Sequence, residues 1–260
     1  MKLKIYVLSL IEATERRNKI NKILTKMNID FVFYDGVKGK EISPHDIDDI
    51  YDEKSCRKLI NRGLSSGEIG ATYSHYKIYK DAWESNVDFA LILEDDVFLL
   101  PAFKELINSL GTEKPPMKED DSIYFIQQHC LNNRVIGSIW DGVEIGSFKF
   151  TKMLGSSQYF VGAYGYLVPR NSLKKLVHNY LPINCVCDHW YHIKKRSGIK
   201  NFYYLKTPLV YTNDESVRLV DSFVQKERAL IHISKELTVL QEFKYSLKKY
   251  ALLLTNLDIE

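Results

Sequence analysis

The sequence has no long hydrophobic run. No stretch of its 260 residues approaches the ~20 apolar positions of a membrane-crossing helix. The N-terminal apolar stretch, Lys4 to Leu10, is too short for a secretory h-region. It runs straight into the charged segment Glu12 to Lys22 without a small-residue cleavage site. These absences predict a cytoplasmic protein. Cysteine is scarce, with only Cys56, Cys130, Cys185 and Cys187. The Cys185-Val186-Cys187 spacing fits neither a zinc knuckle nor a CxxC redox pair, so four reduced thiols are expected. Charge of one sign does not dominate: the net charge is +3 and the pI about 8.4. That balance is too mild to argue for nucleic acid, although it suits an anionic substrate or an anionic membrane surface. Internal repeats and low-complexity tracts are missing too. What is present is 45% hydrophobic residues, enough for a sizeable core. There are also 17 tyrosines, which suit carbohydrate-facing surfaces but equally ordinary cores.

Apolar patterning sets out an α/β chain. Residues 4–10 read as a strand buried on both faces. Thr14 is placed to cap a helix over 15–27, where Ile20, Ile23, Leu24 and Met27 recur at helical spacing. Phe31 to Tyr34 form a second strand ended by Asp35-Gly36, which completes the start of a βαβ unit. Residues 41–66 read as a short helix and loop. Ser65 or Ser66 with Glu68 marks the start of a helix to about Ser85. Phe89 to Leu93 is the clearest strand, 102–110 look helical, 111–121 form a surface loop and 122–127 another strand. The Gly-, Ser- and aromatic-rich region 131–165 is expected to be irregular. Residues 163–168 read as a strand, 172–180 as a helix and 201–211 as one last strand. Beyond 222, Leu230, Ile233, Leu237, Leu240, Leu247 and Leu254 form a helical stripe among lysines and arginines.

The feature that asks for chemistry is Glu94-Asp95-Asp96, directly after the apolar strand. Adjacent carboxylates at a strand end repel one another and lose hydration. A solvated turn is the plain reading. The alternative is a divalent cation site, since hard oxygen ligands suit Mg²⁺ or Mn²⁺ together with substrate phosphates. Open α/β sheets bind ligands at the carboxyl ends of their strands, and the acids sit at one. Strand alternation places Glu94 and Asp96 on one side and Asp95 on the other, with Asp96 as chief ligand and Glu94 assisting.

Four blocks resemble glycosyltransferase family 25, the lipooligosaccharide galactosyltransferase group that also has relatives in collagen glycosylation. They are Tyr6-Val7-Leu8-Ser9-Leu10 with Glu15-Arg16-Arg17, Phe33-Tyr34-Asp35-Gly36-Val37, Ser66-Gly67-Glu68-Ile69-Gly70 through Ser74-His75, and Ala90 to Val97 around the acids. The resemblance covers about residues 3–217. It implies a GT-A-like single domain over 1–221, with a mixed, mostly parallel central sheet flanked by helices. A basic amphipathic helical extension follows over 222–260. It also implies inverting transfer from UDP-galactose with Mn²⁺ or Mg²⁺. Gly162-Ala163-Tyr164-Gly165-Tyr166 matches a further family strand, whereas Leu181 to Asp188 departs from its Pro-x-Asp segment.

Inverting transfer needs a base. Asp188 is the first candidate, with a helix N-cap as its plain role; Asp214 and Glu215 are the alternatives, and His189 and His192 read as structural or as ligands. With the resemblance, Arg16 or Arg17 contacts the donor diphosphate. Ser9 and Leu10 line the uridine pocket, Asp35 holds base or ribose, and Gly67, His75 and Asp95 complete the donor site. His75 as a buried structural residue is the competing reading. The expected partners are a UDP-sugar donor and an oligosaccharide or lipid-linked acceptor, with no nucleic acid. The extension either packs its leucine stripe on the core or lies on the inner membrane. Competing functions are the same fold with UDP-glucose or another UDP-sugar, a non-catalytic carbohydrate-binding or assembly protein, and a metal-dependent phosphohydrolase. The last would want more dispersed Asp and His ligands.

Overall fold

The computed structural model describes residues 2–112, 121–127, 135–212, 248–249 and 252–255. Strand β1 (Leu3–Ser9), helix α1 (Thr14–Lys26) and β2 (Val32–Asp35) open the chain. A 3-10 turn (Gly39–Glu41) and short helices α2 (Pro44–Ile50) and α3 (Glu53–Ile60) lead to the long helix α4 (Ser66–Glu84). Next come β3 (Phe89–Glu94), β4 (Val97–Leu99), α5 (Ala102–Thr112) and β5 (Ser122–Phe125). The hairpin β6 (Gly137–Ile145) and β7 (Phe148–Met153) follows, then β8 (Gly165–Pro169), α6 (Arg170–Asn179), α7 (Trp190–Ser197), β9 (Asn201–Leu205) and β10 (Val210–Thr212).

Eight strands form one sheet in the order β2-β1-β3-β8-β5-β9-β7-β6. All but β8 and β7 run in one direction. This is the expected α/β architecture, a mixed and mostly parallel sheet. Its two faces carry separate cores. On one, Tyr6, Ala90 and Ile92 pack with Ile78, Tyr79 and Ala82 of α4, Leu173 and Leu176 of α6, and Trp190 of α7. On the other, Val7, Leu91 and Leu93 pack with Ile20 and Leu24 of α1 and with Phe103 and Leu106 of α5. Strand β3 is therefore covered on both sides, which is why it reads as an unbroken apolar run. Burying each large aliphatic side chain there contributes about 1.5–3 kcal/mol.

The structure changes several expectations. Helix α1 begins at Thr14 itself, so the N-cap is Ala13, whose methyl side chain offers no acceptor, and the Ala13 and Thr14 amides bond to the Leu10 and Glu12 carbonyls. The region 41–66 holds two helices, each capped by its own side chain, Ser43 for α2 and Asp52 for α3. Instead of irregular chain over all of 131–165, β6 and β7 pair as a hairpin around Gly146, whose φ of +55° suits the turn. The stretch 201–211 divides in two: β9 joins the main sheet, whereas β10 pairs antiparallel with β4 in a second, two-stranded sheet. Pro208 lies at the break, where its missing N–H removes a ladder donor. Most of 222–260 lies outside the described residues. At its end Leu252 packs on Ile136 and Leu154, whereas Leu254, a member of the expected leucine stripe, is exposed. No helix of the described residues is long and apolar enough to cross a membrane.

The Gly-Glu-Ile-Gly block is a packing device at the start of α4. The Ser65 hydroxyl accepts from the Glu68 amide at 3.2 Å, and Glu68 Oε2 accepts from the Ser65 amide at 2.9 Å, a reciprocal capping box. The buried Glu68 carboxylate also takes a bidentate pair from Arg62, both arms at 2.7 Å. Gly70 gives way to the chain after β2: a Cβ there would stand 2.4 Å from the Val37 carbonyl oxygen and 2.5 Å from the Gly39 nitrogen. Helix propensity alone favours Gly70→Ala by about 1 kcal/mol. The clash is with backbone, so the substitution is expected to destabilise by about 1–3 kcal/mol in urea unfolding. A gain in midpoint would contradict this packing.

Candidate functional site

The parallel strands β1, β2 and β3 bring Ser9, Asp35 and Glu94 to one edge of the sheet, where Ser9 pairs with Asp35 and Leu8 with Glu94. Along β3, alternation holds to Glu94, whose side chain points to the α4 face. Its Oε1 lies 3.6 Å from Nε2 of His75. Asp95 points to the α1 face, where the Ser9 hydroxyl donates to Oδ2 at 2.5 Å and Arg16 Nη1 lies 3.2 Å from Oδ1. The expected return of Asp96 to the side of Glu94 does not occur. Asp95 and Asp96 form a turn between β3 and β4, so the strand period ends at Glu94. Asp96 Oδ2 instead shares Arg16 with Asp95, at 3.7 Å.

Asp95 and Asp96 differ in how fully they are satisfied. Asp95 is 5% exposed and held by two partners. Asp96 Oδ1 is buried without a hydrogen-bond partner. Leaving such an acceptor unpaired costs about 1–3 kcal/mol. Burial, reinforced by the charges of Glu94 and Asp95, pushes the Asp96 carboxyl up to about 7 against the opposing pull of Arg16. Burial also raises Asp95, despite its Ser9 bond and Arg16. An open, buried oxygen in a region of surplus negative potential is a donor that suits a hard divalent cation. Among the described residues, no three His, Cys, Asp or Glu side chains gather to hold a metal ion unaided. Mg²⁺ sites commonly use only one or two carboxylates and take their remaining oxygens from substrate phosphate; Asp96, with Glu94, would be the residues to supply the protein's share here.

The remaining sequence candidates divide. Arg17 does not reach the acids: its guanidinium pairs with Asp35 and lies 4.5 Å over the Phe33 ring. Leu10 follows β1 and lies against Gly36, and the Gly36 amide donates to the Ser9 carbonyl at 2.8 Å. Gly67 lies in the first turn of α4. His75 is fully buried beneath Glu94. Asp188 sits in the turn before α7 and is not its N-cap, a position held by His189. Its Oδ2 instead accepts from the Gly162 amide at 3.3 Å. Gly162 has φ +89°, which favours glycine, and its carbonyl accepts from Trp190 Nε1 at 2.8 Å. Two residues on, the Tyr164 carbonyl accepts from the Glu94 amide at 3.3 Å, so one short loop ties Asp188 to the acids. The His189 and His192 rings stack edge to face at 4.4 Å, and burial lowers the pKa of His192. Asp214 and Glu215 lie outside the described residues. Sequence reasoning missed roles for Tyr166, 2.7 Å from His75 Nδ1, and for Gln127, whose Oε1 accepts from the Tyr164 and Gly165 amides at 2.9 and 2.8 Å. The signal for Tyr166 was its place in the Gly162 to Tyr166 block.

A family model described as glycosyltransferase family 25 (LPS biosynthesis protein) matches residues 2–191. The chain belongs to glycosyltransferase family 25. Family-25 relatives include a glycosyltransferase 25 family member from Aedes aegypti, 27% identical over 179 residues, which make up 66% of this chain and 27% of that one. Lipooligosaccharide biosynthesis protein lic2B of Haemophilus influenzae is 27% identical over 172 residues, 66% of this chain and 61% of that one. Procollagen galactosyltransferase 1-B of Xenopus laevis is 24% identical over 180 residues, 66% of this chain and 28% of that one. The family-25 chain thus spans between 27% and 61% of the length of these relatives. Every block quoted from the sequence, through Asp188, falls inside the matched region.

The raised pKa of Asp96 has a stability consequence. In the metal-free protein, the folded state keeps a proton on Asp96 that the unfolded chain releases near its ordinary value of 3.8. That contribution is complete below 3.8 and is lost as pH rises through about 7. Asp96→Asn should therefore gain stability relative to the parent between pH 5 and pH 8 in thermal melts, as expected from the ~7 value. A stability difference independent of pH would contradict the charge crowding.

Proposed function

We propose that this chain is an inverting, metal-assisted hexosyltransferase that moves galactose from UDP-galactose to a sugar of lipooligosaccharide or lipopolysaccharide. The observation that carries this is the buried, unpartnered Asp96 oxygen at the carboxyl end of β3, beside Glu94 and Arg16, in a family-25 chain. The choice of galactose follows the name of the Xenopus laevis relative, and the acceptor class follows that of the Haemophilus influenzae relative.

Asp96, with Glu94, would hold Mn²⁺ or Mg²⁺; such an ion, when bound, offsets the charge that develops on a departing diphosphate. The rest of the chemistry belongs to the chain. Arg16 already spans Asp95 and Asp96, and its guanidinium suits a diphosphate oxygen as well as it suits a carboxylate. Ser9 and Arg16 hold Asp95 still, so Asp95 acts as a fixed support for the turn that carries Asp96. The end of β1 at Ser9 and Leu10, with Asp35 at the end of β2, supplies the floor for the nucleoside. Asp188 takes the proton of the attacking acceptor hydroxyl, and the Gly162 amide on its Oδ2 keeps the carboxylate aimed.

UDP release is measured with Mn²⁺, a panel of UDP-sugars, and oligosaccharide acceptors. UDP-galactose should give the fastest acceptor-dependent release, and Asp96→Ala should lower kcat by at least about 100-fold while keeping the parent circular dichroism. Preference for UDP-glucose would shift the donor assignment. Absence of release with every donor, or normal turnover by Asp96→Ala, would overturn the reading.

A further inference from the structure

Beneath the acids lies a buried polar chain that no step above uses. His75 is wholly enclosed between α4 and β8, and both its ring nitrogens face polar groups. Nδ1 is 2.7 Å from the Tyr166 hydroxyl, which is 2.7 Å from the Tyr79 hydroxyl. Nε2 has no hydrogen-bond partner and is aimed at Glu94 Oε1, 3.6 Å away. That gap is just beyond hydrogen-bond reach. Tyr166 and Tyr79 are fully buried, and burial holds both phenols well above the usual range, so both keep their protons.

Two directions of donation are open to this chain, and its ends decide between them. If Nδ1 carried the imidazole proton, it would donate to Tyr166, Tyr166 to Tyr79, and Tyr79 would need an acceptor beyond. The Tyr180 hydroxyl forms no geometrically sound hydrogen bond, and its interaction with the Tyr79 hydroxyl lowers rather than raises the pKa of that phenol, as a donor does, so it does not serve as the acceptor. The bare Nε2 lone pair would then face the Glu94 carboxylate across a site of low dielectric. In the other direction Tyr79 donates to Tyr166, Tyr166 donates to Nδ1, and Nε2–H points at Glu94, an acceptor only. Every proton then has a destination.

We propose that His75 is a positioning residue, held by Tyr166 and Tyr79 in the Nε2–H tautomer so that it donates to Glu94 Oε1 and leaves Oε2 free to face the site. The closing movement is less than 1 Å for a side chain that is partly exposed at the strand end. His75 thus touches neither donor nor acceptor sugar. It fixes the rotamer of a carboxylate that crowds Asp96, as an orienting hydrogen bond does for metal-binding carboxylates elsewhere. The tautomer follows from the buried geometry alone; its catalytic consequence rests on the function proposed above.

Long-range ¹H–¹⁵N correlation on ¹⁵N-histidine-labelled protein reads the tautomer directly. Loss of one signal set in His75→Gln assigns it among the seven histidines. The expected pattern is a protonated Nε2 and a bare Nδ1; a protonated Nδ1, or a neutral ring exchanging between both tautomers, overturns the proposal whether or not the protein transfers sugar. In UDP release, His75→Leu should lower kcat by about 10–100-fold with KM for the donor little changed. His75→Gln, whose amide nitrogen restores a donor toward Glu94, should recover most of that loss. Equal loss in folded Leu and Gln variants would reduce His75 to a packing residue and contradict the positioning role. If the parent releases no UDP while the Nε2–H tautomer is found, the function fails and the hydrogen-bond assignment stands.

Discussion

Three carboxylates follow one another at the end of a strand that is buried on both faces, and their mutual repulsion is the constraint around which the site is built. A doubly covered β3 leaves the chain no freedom to spread its acids into solvent. The fold disperses them instead, one to each face and one onto the turn. Glu94 goes to the α4 face, Asp95 to the α1 face, and Asp96 stays between. Three elements receive them: His75 from α4 lies under Glu94, Ser9 from β1 holds Asp95, and Arg16 from α1 reaches both Asp95 and Asp96. The arrangement satisfies Asp95, partly satisfies Glu94 and leaves Asp96 with an open oxygen and a raised pKa.

The other structural devices serve the same edge of the sheet. The capping box of Ser65 and Glu68 and the bidentate grip of Arg62 fix where α4 begins. Gly70 and Gly39 let the chain after β2 close onto that start, and the Val37 amide donates to Ser74 Oγ at 2.7 Å. Position along α4 then determines that His75 arrives under Glu94. Across the sheet, β8 supplies Tyr166, and the loop before it carries Gly162 and Tyr164, which connect Asp188 to the Glu94 backbone. The site draws on residues from Ser9 to Asp188, and the family model covers that span.

Local order decided what the sequence made legible. β1 and β3 were readable because burial on two faces writes itself as a continuous apolar run, and α4 because Ser65 and Glu68 are three residues apart. The β6–β7 hairpin was not readable. Its outer strand exposes Ile139 and Trp140, and a bulge between Gly137 and Gly142 destroys the alternation; only Gly146-Ser147 signalled the turn. The division of 201–211 into two sheets depended on Pro208 and on β4, which is too short to announce a partner. The acids were legible as a cluster, but their division was not, because the turn at Asp95-Asp96 breaks the strand period. Contacts across long separations were invisible: His75 meets Tyr166 over 91 positions, and Ser9 meets Asp95 over 86.

Under the proposed function Asp96 and Asp95 have opposite roles, an open ligand and a committed support, although they are neighbours of identical chemistry. Anomalous diffraction from crystals grown with Mn²⁺ and UDP tests that division most directly. A single manganese peak is expected at roughly 2.0–2.2 Å from an Asp96 oxygen, with diphosphate oxygens completing the shell and Asp95 still bonded to Ser9. A peak ligated by Asp95 after it leaves Ser9, or UDP bound with Arg16 still spanning both aspartates and no manganese at Asp96, would contradict it.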